Sequence, residues 1–84
     1  MPLFMDKHDL HGPVSADEVA KAHEADLATQ AEFPGVDYRS YWVDEAEGRI
    51  FCLVEAPDAE TASAVHRKAH GLVADEVVQV SQGA

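Results

Sequence analysis

Five histidines in a chain of 84 residues carry the most chemistry in this sequence: His8, His11, His23, His66 and His70. Neutral imidazole is the commonest metal ligand among side chains. His66 and His70 are spaced i,i+4, so on a helix they project from one face, and two such rings can share one ion. Asp26 follows His23 by three residues, at the edge of the same helical face, and Asp6 and His8 share a face if their segment is a strand. The sequence has no glycine-rich phosphate loop, nucleophile elbow or H-E-x-x-H motif. Cys52 is the only cysteine, so no intrachain disulfide can form. It lies in the apolar run IFCLV and reads as a small core residue. Ser15 is accounted for as a helix cap.

The elements that must position these residues follow from breakers and periodicity. Pro2 to His8 reads as a first strand, and Gly12-Pro13 breaks the chain after it. Ser15-Ala16-Asp17-Glu18 is a capping box. It opens a first helix that runs to about Glu32, where Pro34-Gly35 stops it. Val36 to Asp44 is β-branched and aromatic, a second strand. Glu47-Gly48 turns the chain into a third strand, Arg49 to Glu55, forming a hairpin. Asp58 caps a second helix that extends to about His70, with Gly71 where a left-handed cap belongs. Asp75 to Ser81 is the fourth strand.

The order βαββαβ defines an α+β, ferredoxin-like domain: an antiparallel sheet ordered 4-1-3-2 with both helices on one face. The whole chain, 1–84, is expected to be one such domain. Strand polarity then brings His8, His11, His66 and His70 to one end, with His23 partway down helix one. There His23 is expected on the inward face, between Val19 and Leu27. His66 is expected at the border of the apolar stripe, beside Ala59, Ala62 and Ala69, with both helix-two histidines near a surface. Each histidine alone has an ordinary structural explanation, such as a hydrogen-bonded core residue, a solvated loop or a helix C-terminus. Their convergence is what points to a divalent transition metal. Strand three is apolar without alternation, as strands are when both faces are buried. Two helices cover only one face, so a second copy of the sheet, back to back in a homodimer, is expected over the other.

The formal net charge is −10. Such a surface argues against a nucleic-acid groove and against docking on anionic lipid, and is compatible with attracting cations. No apolar run reaches membrane-spanning length, and the short apolar start is not a signal peptide, so the expected location is the cytoplasm.

MPLFMDKHD, SADEVAKAH with the following DLATQ, YWVD, FCLVEAPDAE and VHRKAHGLVADE together resemble the small actinobacterial nickel-binding proteins, a family long classed as a domain of unknown function. The resemblance runs from Met1 to about Val80, and HRKAHGL is its most specific part. It implies a dimeric ferredoxin-like fold and nickel binding for sequestration or buffering, without catalysis. The matching histidines are His8, His23, His66 and His70; His11 lies in a more variable loop. Nickel itself rests on this resemblance, because imidazole suits zinc, copper, iron and nickel alike. The competing readings are a small dimeric enzyme acting on an organic substrate and an interaction module whose histidines are incidental.

Overall fold

A computed structural model describes residues 2–83. Strand β1 (Leu3–Asp9) is followed by helix α1 (Ala16–Thr29), which tightens into a 3-10 turn over Gln30–Glu32. Strands β2 (Asp37–Asp44) and β3 (Arg49–Glu55) form the hairpin, and helix α2 (Ala59–Ala69) leads to strand β4 (Glu76–Val80). The sheet is antiparallel in the order β2-β3-β1-β4, the expected ferredoxin-like arrangement.

Local chemistry explains the boundaries. The Ser15 hydroxyl accepts from the Glu18 amide at 3.1 Å, and Asp58 accepts from the Thr61 amide at 2.7 Å. Each satisfies an amide that the helix start leaves unpaired. Gly71 ends α2 with φ +81, and its amide bonds the His66 carbonyl. Gly48, at φ +72 in the hairpin, is needed for a second reason. A Cβ there would lie 1.8 Å from the Gly12 carbonyl oxygen, so the hairpin can rest against the loop after β1 only because position 48 has no side chain.

The helices pack on the sheet face formed by Phe4, Ile50, Cys52, Val54 and Tyr38, against which Val19, Ala62 and Val65 close the core. β1 and β3 alternate between buried and half-buried positions. The apolar run of β3 therefore puts Ile50, Cys52 and Val54 in the core and leaves Phe51 and Leu53 on the opposite face. Cross-strand register surrounds these two with Met5, Trp42, Val78 and, beside Met5, Leu3. Trp42 is 52 % exposed. Among the described residues no helix is long and apolar enough to cross a membrane.

Candidate metal centre

The inward positions of β1 read Phe4, Asp6, His8, so the strand carries a carboxylate and an imidazole into the core beside a phenyl ring. Antiparallel register sets Cys52 of β3 opposite Asp6, and Ile50 opposite His8. From the helical layer, α1 delivers Asp26 and His23, and the last turn of α2 delivers His66, with His70 at its cap.

His66 is the hub. It is 1 % exposed. Its Nε2 lies 2.8 Å from Asp6 Oδ2, and its Nδ1 lies 2.8 Å from Asp26 Oδ1. Both ring nitrogens face carboxylates, so the ring donates twice and is an imidazolium. Burial pulls its pKa down, but the bonds to Asp26 and Asp6 outweigh burial and push it up to about 9. Burial likewise works to raise both carboxyls, yet hydrogen bonds from His66, with His8 beside Asp6 and His70 beside Asp26, hold them below the usual carboxylate range. The Tyr38 hydroxyl donates to the Ala62 carbonyl at 2.8 Å and sits 3.2 Å from Asp6 Oδ2. Burial and the neighbouring Asp6 charge keep Tyr38 and the Cys52 thiol protonated far above their ordinary range. Within the Asp6–His66–Asp26 chain, two carboxylates thus stand against one imidazolium, one negative charge in excess.

His8 and His70 flank the hub, each with its ring centroid 5.0 Å from that of His66. His8 Nε2 is 3.3 Å from Asp6 Oδ1. His70 Nε2 is 3.1 Å from Asp26 Oδ1, while its Nδ1 accepts the Leu72 amide at 3.1 Å. This hydrogen-bond pattern assigns the proton of a neutral His70 to Nε2. His23 packs on Tyr41 with centroids 4.8 Å apart, and its Nδ1 is buried without a hydrogen-bond partner.

These side chains line a cavity of about 30 Å³ bounded by His8, His23, Asp26, His66 and His70. Two overlapping sets have their donor atoms within 4.8 Å of one another: Asp26, His66 and His70 on the helix side, and Asp6, His8, Cys52 and His66 on the sheet side. Five of the six residues singled out from sequence are thus brought together. The sixth, His11, is not: its side chain is 83 % exposed, its near partner is Asp9 at 3.7 Å, and it occupies a left-handed turn position at φ +58. Two placements are corrected. His66, expected near a surface, is a fully buried core residue because α2 turns it onto the sheet. Leu27, expected inward, is 42 % exposed, and Asp26 takes the buried place instead. At about 100° per residue Asp26 falls only about 20° from Val19, whereas Leu27 falls about 80° away. Taking Val19 as the anchor of the helix face is the signal that would have found Asp26 at its centre. Asp6 was visible as a charge in an alternating inward run. Nothing in the sequence indicates that it reaches His66, sixty residues away.

The family model for the nickel responsive protein SCO4226-like family matches residues 4–80. The chain belongs to this family. Its fold is also that of a crystal structure of SCO4226 from Streptomyces coelicolor A3(2), with a TM-score of 0.88, 39 % identity, and coverage of 98 % of this chain and 99 % of that one. A search of curated proteins returned no match. A nickel-responsive family and a buried cluster of imidazoles and carboxylates coincide in one domain.

Proposed function

We propose that this SCO4226-like protein binds nickel(II) at the buried cluster and serves to sequester or buffer it in the cytoplasm, without catalysing a reaction. The carrying observation is the uncompensated charge of the Asp6–His66–Asp26 chain. A divalent ion that displaces the His66 proton brings the two carboxylates, the ring and the ion to neutrality, with no buried charge in excess. The orphaned His23 Nδ1 supports the same reading, since a buried polar atom without a partner costs about 1–3 kcal/mol and coordination would satisfy it. Asp26, His66 and His70 form the core of this helix-side site, where His70 would ligate through Nε2 once its proton shifts to Nδ1 and the Leu72 amide bond is released. His23 and water are the further donors at hand, a set suited to a six-coordinate ion. The cavity of about 30 Å³ has room for an ion and a water or two, far less than the several hundred Å³ typical of sites for organic ligands.

Calorimetric titration with nickel(II) tests the proposal. We expect saturable binding near one ion per protomer, because the candidate sets share His66, and a marked loss of affinity in His70→Ala. His70 is partly accessible, so this variant should keep its fold. Undiminished nickel binding by folded His70→Ala would move the ion away from the helix side.

The proposal includes a homodimer built on the sheet face opposite the helices. Leu3, Met5, Phe51, Leu53, Trp42 and Val78 form its apolar surface, and a second copy is the self-complementary cover. Leu53 lies at its middle, so Leu53→Lys should convert a dimer to a folded monomer in light scattering at micromolar concentration. A parent that is itself monomeric there would remove the dimer from the proposal.

A further inference from the structure

The nickel reading uses the helix side of His66 and leaves the sheet side unexplained. There, Asp6 Oδ1 is buried with no hydrogen-bond partner. The His8 Nε2 lies 3.3 Å from it without completing a hydrogen bond, and the Cys52 thiol stands on the neighbouring strand, opposite Asp6 in register. All four residues of this group are buried, and one donor atom of each lies within 4.8 Å of the others. The donors are one sulfur, two imidazole nitrogens and one carboxylate oxygen. A compact, closed set of four with a thiolate suits a borderline-soft ion in tetrahedral coordination, zinc(II) above all.

We propose that Asp6, His8 and Cys52, with Nε2 of His66, form a second metal position that takes zinc(II) and competes with the helix-side nickel position for His66. The competition follows from the ring. When Nε2 binds an ion on the sheet side, Nδ1 keeps its proton and donates it to Asp26. When Nδ1 binds on the helix side, Nε2 keeps the proton for Asp6. In each state the far carboxylate orients the ligating imidazole, a common arrangement behind metal-bound histidine. Occupying both positions at once would strip both protons from the ring. The balance on the sheet side is simple: the ion enters as zinc(II), one proton leaves His66, one leaves the Cys52 thiol, and both pass to solvent. The softness of the ion then determines which side of His66 it occupies.

The inference rests on the metal-binding reading, and the test separates the two. X-ray absorption at the zinc edge of the zinc-loaded parent should show one sulfur among nitrogen and oxygen neighbours, and the nickel-loaded parent should show none at the nickel edge. This measurement needs no variant that could fail to fold. Zinc should displace nickel with the total held at one ion per protomer. Cys52→Ser should weaken zinc binding about tenfold or more while changing nickel affinity less than about threefold. A zinc shell without sulfur overturns the proposal, as does simultaneous binding of one zinc and one nickel per protomer. Failure of nickel to bind, with sulfur-bound zinc present, would instead remove the nickel reading and leave this position standing.

Discussion

Replacing His66 by alanine should destabilise the metal-free protein by about 3–5 kcal/mol, the usual consequence of removing one partner from a buried ion pair. The ring bonds both Asp6 and Asp26, which are 1 % and 2 % exposed. Without it, two carboxylates face each other across a void in the core. For a domain whose total stability is of order 5–15 kcal/mol, the loss is a large fraction. Denaturant unfolding at neutral pH measures it. A second signature separates this cause from simple loss of packing. In the parent, the depressed carboxyl pKa values contribute stability that is complete above the ordinary carboxylate range and is lost progressively as pH falls below that range towards the depressed values. In His66→Ala, Asp26 keeps only His70, and Asp6 only the Tyr38 hydroxyl and the nearby His8. Burial then raises both carboxyls above their position in the parent, so acidification towards pH 5 should narrow the gap between variant and parent. A variant within about 1 kcal/mol of the parent would mean that the imidazolium bridge does not hold the core. Replacing His66 and His70 together, which a place near a surface would make harmless to folding, is expected to destabilise the domain at least as much, because His66 is buried.

Nickel affinity should rise about tenfold per pH unit between pH 7 and 9, about a hundredfold overall. Ordinary imidazole ligands would place this dependence around 6.5. The carboxylate partners of His66 move it up, because a ring protonated to about 9 must lose its proton before it can coordinate. Metal-free stability runs in the opposite direction. His66 has its folded pKa raised, so its contribution is complete below about 6.5 and disappears as pH rises through about 9. That contribution is at most about 3 kcal/mol, and it is the same interaction that depresses the carboxyls, counted once. Chelator competition at pH 7, 8 and 9 measures the affinity, and thermal unfolding of the metal-free protein over the same range measures the stability. An affinity that is flat between pH 7 and 9 would show that His66 is not a ligand and is a structural pillar.

Much of the scaffold was legible in the chain because its signals are local. The Ser15 and Asp58 caps, the glycines at 48 and 71, and the apolar run of β3 each act within a few residues, and they set the element order from which the ferredoxin-like topology follows. The gathering of His8, His23, His66 and His70 at one place was also legible, since strand polarity and helix length convert chain position into height in the domain. The resemblance carried by HRKAHGL pointed to the family that the comparison then established. The rotation of each helix about its axis was not legible. It is fixed by packing on the sheet, and that packing buries Asp26 instead of Leu27 and turns His66 from the border of a stripe into the core. The carboxylate partners of His66 were hidden for a related reason. Asp6 and Asp26 lie 60 and 40 residues from it, and only the closing of both helices over β1 brings them within hydrogen-bond distance. Sequence by itself determined which residues could bind an ion and at which end of the domain most of them gather. Tertiary structure decided that Asp6, Asp26 and His66 are buried and that a single imidazole stands between two carboxylates, because burial and long-range contact exist only once the layers have closed.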